Sequence, residues 1–166
     1  AYAQHGHGTT TATETKRTVW LDSGLGNVDH PVSTKNAEAQ KWFDQGNALL
    51  HSFWFEEAER SFRWSLKLDP DCAMAYWGLA RSGFNWFSSF SPTLDEKDFG
   101  RYRKFLNEAI RRKAAVPERE RMYIEAWDAA FAGESKERFR VLERELQKIV
   151  LAQPDDVEAK ALLALY

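Results

Sequence analysis

Apolar side chains recur at a helical spacing along most of the chain after residue 35. In the first such stretch, from about Asn36 to His51, residues 42, 45, 46 and 49 share one face because they follow the i, i+3, i+4, i+7 rule. The same spacing predicts helices over about 54–68, 72–87, from about 98, from Pro117 to Gly133, after Ser135, and over 157–166. We therefore predict an all-α fold.

Polar and proline-containing stretches mark the ends of these helices. Ser33 or Thr34 is suited to cap the first helix, since a side-chain oxygen there accepts from a free amide. Asp155 with Glu158 fits a capping box for the last one. The stretch Ser88–Asp98 contains Pro92 and predicts a polar loop between the third and fourth helices.

The first 35 residues lack a helical period. A Thr-rich run covers 9–18 and predicts a flexible arm. Further along, however, the segment is too apolar for a free tail, with large side chains at Trp20, Leu21, Leu25, Val28 and Val32. We expect residues 1–35 to form an extended N-terminal arm that lies across a helical domain of residues 36–166.

The final helix, Val157–Tyr166, has no predicted helix after it. Ala161, Leu162 and Leu165 would then lack half of their cover. Either the natural chain continues or a partner covers this helix. Because the ends of helical arrays normally carry a polar cap, we expect the natural chain to continue.

The stretch Trp42–Pro70 carries most of one helical-repeat signature. Trp42, Gly46, Ala58, Phe62 and Pro70 stand on five of its positions, and Tyr76 restarts the pattern one period after Trp42. The other two positions depart from the signature; they are occupied by Gln45 and Leu49.

The chain therefore resembles the tetratricopeptide repeat (TPR) family. The resemblance implies a right-handed superhelical array of antiparallel helix pairs, a TPR-like α-solenoid, acting as a protein–protein interaction scaffold or assembly subunit. The phrases LLHSFWFEEAERSF and DPDCAMAYWG also look like those of exported bacterial TPR proteins without an assigned activity.

In this family the first helix of each pair lines a concave groove. The residues of the first helices that lie off the packed stripes are the predicted partner-binding set: Phe43, Asn47, Leu50, His51, Met74, Trp77, Arg81, Phe84 and Asn85. Asn47, Arg81 and Asn85 would be polar anchors among aromatic side chains. Alternatively, these side chains contact the N-terminal arm or the next helix.

One familiar ligand of such grooves is not expected. The groove that binds a chaperone's C-terminal carboxylate needs Lys at a position where this chain has Phe43, and its second Asn is replaced by Gly78.

Composition narrows the classes of partner. The net charge is −2 without a block of like charge, which argues against a nucleic-acid surface. No apolar run approaches the ~20 residues that span a membrane, so we predict no transmembrane segment. The opening Ala1-Tyr2-Ala3 resembles the small-residue site that precedes cleavage of a signal peptide. We therefore expect a periplasmic or secreted bacterial protein.

Motifs for chemistry are sparse. A single cysteine, Cys72, allows no intrachain disulfide and does not specify a cysteine-based zinc site. No nucleophile elbow, P-loop or zinc-protease motif occurs, so we predict no enzyme activity, no catalytic residue and no cofactor. Two alternatives remain open: a periplasmic metal-binding protein that uses His5 and His7, and a docking module of a larger enzyme.

Overall fold

The structure is a computed structural model that describes residues 19–90, 96–134 and 137–166, with side chains described outside 85–90 and 96–98. In these ranges the chain forms helices and no strand, so the prediction of an all-α fold is confirmed. The α-helices are α1 (Ala37–His51), α2 (Phe55–Leu68), α3 (Ala73–Phe90), α4 (Glu96–Arg112), α5 (Glu118–Ala132), α6 (Arg138–Ala152) and α7 (Val157–Leu165). Short 3-10 turns occupy Ser23–Leu25 and Lys113–Ala115.

Consecutive helices pack against each other in pairs. α1 packs on α2, α3 on α4 and α5 on α6, and α2 also packs on α3. The core runs through these contacts and is rich in aromatic side chains, among which Trp77 and Trp127 are fully buried. Helix-pair packing therefore positions every residue considered below.

Two glycines let the first three helices approach closely. The Phe62 ring of α2 lies against Gly46 of α1 and Gly78 of α3. A Cβ atom at Gly46 would lie 2.7 Å from this ring, and one at Gly78 would lie 2.5 Å from it, closer than carbon atoms pack. The helical cost of Gly46, roughly 1 kcal/mol, is thus offset by the seating of Phe62.

Two predicted boundaries were wrong. α3 continues to Phe90 and α4 begins at Glu96, so both ends of the predicted loop Ser88–Asp98 are helical, while Pro92 falls outside the described residues. The cap of α1 is Asn36 rather than Ser33 or Thr34, because the Asn36 side-chain oxygen accepts from the first backbone amides of the helix.

The cap of α7 is shifted by one residue from the prediction. Asp156, and not Asp155, accepts a hydrogen bond from the Ala159 amide at 3.1 Å. Glu158 is then free of the predicted capping box, and its carboxylate contacts α1 and α3 instead. Ser135, the predicted cap of α6, lies outside the described residues.

The last helix is only partly covered. Leu162 is buried, whereas Ala161 and Leu165 are exposed. Among the described residues, no helix is long and apolar enough to cross a membrane.

Candidate interaction site

The predicted groove residues lie on an inner face that the chain itself covers. His51 is half-buried. Seven of the nine residues are buried: Phe43, Asn47, Leu50, Met74, Trp77, Arg81 and Phe84. The side chain of Asn85 is outside the described residues. Binding of a partner by this set stays a prediction, and it would require the covering elements to move.

Aromatic side chains from α5 and from the chain's end provide much of this cover. The Trp77 ring packs edge-on against Tyr123 and Trp127, with ring centroids 5.5 and 5.1 Å away. Phe84 contacts the Tyr166 ring, at a centroid distance of 6.1 Å. These contacts are with α5 and Tyr166 and not with the next helix that the alternative prediction named. The N-terminal arm, which it also named, contacts Phe43 through the His30 ring, at a centroid distance of 5.7 Å.

A buried polar cluster lies in the middle of this inner face, formed by Asn47, His51, Arg81 and Glu158. The Arg81 guanidinium is fully buried and donates to Asn47 Oδ1 at 2.7 Å and to Glu158 Oε1 at 2.9 Å. The Glu158 carboxylate also accepts from Asn47 Nδ2 and lies 3.0 Å from His51 Nε2. The cluster joins α1, α3 and α7.

Charge balance holds this cluster together. Burial alone would raise the pKa of Glu158, but the His51 hydrogen bond and the Arg81 charge outweigh it and keep that pKa well below its ordinary value. Since arginine stays protonated in proteins, Arg81 and Glu158 form a buried ion pair. Among the described residues, Arg81 Nε has no hydrogen-bond partner, so one buried donor of the cluster is unused.

A second ion pair fixes the N-terminal segment, defined here as residues 19–35, beside α5 and α7. Arg119 donates to Asp156 at 2.7 Å and to the His30 ring at 3.1 Å. Burial, together with the Arg119 charge and against the opposing Glu158 charge, lowers the pKa of His30 to about 4. His30 is therefore a neutral imidazole that accepts a hydrogen bond.

Gln40 of α1 holds the N-terminal segment by its backbone. Its side-chain oxygen accepts from the Val32 amide at 3.0 Å, and its side-chain nitrogen donates to the His30 carbonyl at 3.0 Å. We call this pair of bonds the Gln40 contact. His30 and Val32 are both buried, and the next residue, Ser33, donates to Glu120 from its amide and its hydroxyl.

Gln45 of α1 repeats the arrangement further up the helix. Its side-chain oxygen accepts from the Asp22 amide at 2.7 Å, and its nitrogen donates to the Trp20 carbonyl at 3.1 Å. We call this pair the Gln45 contact. The same nitrogen also donates to Ser61 on α2, which fixes the orientation of the amide.

Both contacts are made to backbone atoms of the N-terminal segment and to none of its side chains. In an extended segment, the carbonyl of residue i and the amide of residue i+2 point to the same side. A side-chain amide that bonds both therefore acts like one residue of a neighbouring parallel strand. Gln40 and Gln45 each make this pair of bonds, so α1 holds an extended chain without depending on its sequence.

An apolar cleft opens beside the Gln45 contact. It has a volume of about 610 Å³ and lies between the N-terminal segment and the α1–α2 pair. We call it the edge cleft; its lining includes Val19, Trp20, Leu25, Gln45, Leu49 and Trp54. The Trp20 and Trp54 side chains at its rim are 68% and 64% exposed.

In the sequence, the residues of this cleft stand out only as departures from the repeat signature. Gln45 and Leu49 are the two positions at which the repeat signature fails, and both line the edge cleft. A polar amide where the signature has Leu was the available signal. The partners of Gln45 could not be predicted from the sequence, because Trp20 and Asp22 lie more than twenty residues away from it.

The described residues offer no metal site. They contain no group of three or more His, Cys, Asp or Glu side chains arranged to hold a metal ion. His5 and His7 fall outside the described residues, so their predicted alternative role stays open. Cys72 is buried, and burial raises its pKa to about 11.

Comparison with known proteins adds no assignment: no protein-family model matches the chain, and no curated protein does.

Proposed function

We propose that this chain is a protein–protein interaction module built as a TPR-like array of helix pairs, and that it holds a partner at the edge cleft. The edge cleft carries the proposal, because it is an apolar opening whose rim exposes large aromatic side chains. The resemblance of Trp42–Pro70 to the TPR signature supports the interaction class.

The exposed side chains around this cleft are of the kind that dominates binding energy in protein interfaces. Trp54 and Trp20 stand at its rim, and Phe53 and Leu21, their chain neighbours, are 51% and 41% exposed. Tryptophan is enriched among the residues whose truncation costs most in binding. A volume near 610 Å³ falls within the roughly 300–1,000 Å³ of ordinary ligand pockets, which suits one or two large side chains.

The backbone at the rim is set by the end of α1. Phe53 has a φ of 62°, in the left-handed region that a bulky residue rarely occupies. It ends the helix in a Schellman motif, in which the Trp54 amide donates to the Leu49 carbonyl and the Phe53 amide to the Leu50 carbonyl. It turns the chain between α1 and α2 and places Phe53 and Trp54 together at the surface.

The inner groove is the less favoured place for a partner. Its predicted residues are covered by α5, α7 and the chain's end, and Arg81 already has a carboxylate partner. Within the part of the chain that the structure describes, the edge cleft is open.

The test is selection of ligands for the intact chain from a display library of random linear peptides, followed by affinity measurement with Trp54→Ala. We expect selected peptides rich in large apolar residues, and at least a tenfold weaker binding to Trp54→Ala, as expected for an interface anchor. Leu151→Ala is the matched control, since Leu151 is an 80% exposed apolar residue on α6. Selection of no peptide, or equal loss with both variants, would contradict the proposal.

Export to the periplasm and attachment to a larger assembly belong to the same proposal and rest on the sequence alone. Detection of the chain in the envelope fraction of its native cell tests the first, and its absence there would remove it.

A further inference from the structure

We propose that the edge cleft is where a second copy of this chain binds, with the Trp54 ring of each copy inserted into the cleft of the other. This inference rests on the proposed function and names the partner that the same surface accepts.

The two aromatic residues between α1 and α2 stand at positions that the backbone would fill differently. Phe53 follows the C-cap of α1 with a φ of 62°, where Gly is the usual residue. Trp54 is the N-cap of α2, a position that prefers Ser, Thr, Asp or Asn. Within the described part of the chain, the Trp54 side chain makes no capping hydrogen bond. Both residues therefore oppose the local preferences of the backbone.

Packing within one copy gives these two residues little in return. Phe53 touches the Phe55 ring edge-on, at a centroid distance of 6.1 Å, yet more than half of Phe53 and of Trp54 stays exposed. Residues that break a local rule without a gain inside the fold tend to be functional. Because hydrogen bonds at the end of α1 fix this turn, the backbone that carries Trp54 has little freedom left to lose on binding.

The exposed aromatic area is of the size that a small dimer needs. A whole aromatic side chain buries about 150–250 Å², so the exposed parts of Trp20, Phe53 and Trp54 amount to roughly 300–450 Å² per copy. Two copies together bring about 600–900 Å², most of the ~1,000 Å² that a specific interface requires. Leu21, which is also exposed, and the charged residues of the rim add to it. The cleft of about 610 Å³ has room for the Trp54 ring of a second copy.

The charged residues of the cleft suit a copy of the same surface. Glu57 and Arg60 line the cleft one turn apart on α2 and pair with each other within one copy. In a twofold contact the same patch meets itself, so Arg60 of one copy can lie opposite Glu57 of the other. The other charged residue of the lining, Asp22, already accepts from the Gly24 amide. A lining with both signs of charge favours a second copy over a strongly acidic or basic partner.

The test is sedimentation of the intact chain from about 1 to 500 µM, a range suited to a small interface. We expect the wild type to pass from monomer to dimer within this range. Trp54→Ser removes the inserted ring but supplies a good N-cap for α2. It should dimerise at least tenfold more weakly, while the free energy of unfolding of its monomer, measured with urea, should not fall. Leu151→Ser is the matched control, because it removes an exposed apolar side chain on α6 and should dimerise like the wild type.

A pair of charge variants tests the twofold arrangement. Glu57→Arg and Arg60→Glu each place like charges opposite each other in a dimer, so each variant alone should dimerise at least tenfold more weakly than the wild type. An equimolar mixture of the two variants restores opposite charges across the interface and should form a heterodimer. Residues that only stabilised α2 within one copy would not show this rescue.

A wild type that stays monomeric throughout this range overturns the inference. So does a Trp54→Ser variant that dimerises as well as the wild type, or a mixture of the charge variants that forms no heterodimer. The proposed function fails separately: a monomeric wild type that still selects Trp54-dependent peptides leaves it intact and ends only the inference. If the chain neither dimerises through Trp54 nor selects such peptides, both fail.

Discussion

The Gln40 and Gln45 contacts use the same chemistry on the same helix, but their surroundings differ. Each glutamine bonds a carbonyl and an amide two residues apart in the N-terminal segment. At Gln40 the bonded residues are buried, and ion pairs with α5 and α7 lie beside them. At Gln45 the bonded residues are exposed and face a cleft.

The difference teaches that hydrogen-bond geometry alone does not decide how firmly a segment is held. Water can replace either partner of an exposed bond at little cost, whereas a buried amide or carbonyl without a partner costs ~1–3 kcal/mol. The Gln40 contact therefore anchors residues 30–33, which we call the anchored region, whereas the Gln45 contact at residues 20–22 opens more easily.

The largest effect is expected at the buried polar cluster. Glu158→Ala leaves the Arg81 guanidinium buried without its carboxylate, and loss of one partner of a buried ion pair costs about 3–5 kcal/mol of unfolding free energy. Urea unfolding measures it. Glu57→Ala, which removes the surface partner of Arg60, should cost less than about 1 kcal/mol. Equal losses in the two variants would mean that the cluster does not stabilise the fold.

The next effect separates the two glutamines directly. Gln40→Ala leaves the buried His30 carbonyl and Val32 amide without partners, so it should lower the free energy of unfolding by about 1–3 kcal/mol. Gln45→Ala removes the same kind of bonds at exposed residues, and we expect a loss below about 1 kcal/mol. A larger loss of unfolding free energy in Gln45→Ala than in Gln40→Ala would contradict the proposed difference between the two contacts.

The pH dependence of stability gives a further test of the comparison. Two groups at the Gln40 contact, His30 and Asp44, have shifted pKa values that change the free energy of unfolding in opposite directions as the pH falls. The pKa of His30 is lowered to about 4 by burial, so its contribution to stability is lost as the pH falls from about 6.5 to 4. Burial raises the pKa of Asp44, which accepts from Gln40, to about 6, so its cost is relieved over much of the same range. We expect a nearly flat profile for the wild type.

The variant Asp44→Asn removes this relief. Its stability should then fall on acidification, by less than the limit of about 1.4 kcal/mol per pH unit for one proton, because protonation of Glu120 opposes part of the loss. His30→Gln should show the reverse slope, with the free energy of unfolding rising as the pH falls. Burial also raises the pKa of Glu120, and its protonation adds to this rise. Urea unfolding at several pH values measures both slopes, and identical profiles for the two variants would refute this account of the anchored region.

Much of the fold was predictable because it depends on local periodicity. Helix bounds from the sequence agree with α1, α2 and α5 within a few residues. The errors fell at helix ends, where Asn36 and Asp156 provide the caps in place of neighbouring polar residues. Where several polar residues follow one another, tertiary contacts decide which of them caps the helix.

The site was less predictable because it depends on contacts between distant parts of the chain. Asn47 and Arg81 were identified as polar groove residues, but their partner Glu158 lies 111 and 77 residues further along. The backbone partners of Gln40 and Gln45 carry no signal in their own side chains, since a main-chain amide is present at almost every residue. Of the two glutamines, only Gln45 stood out in the sequence, as a departure from the repeat signature.

Hydrogen exchange of two amides tests the central claim most directly. The Val32 amide donates to Gln40 and the Asp22 amide donates to Gln45, so the two bonds are chemically equivalent. Measured by NMR and corrected for intrinsic rates, Val32 should exchange at least about 100-fold more slowly than Asp22, because only the anchored region needs a larger opening. Equal protection of the two amides would contradict the division of the N-terminal segment into an anchored region and a more loosely held one.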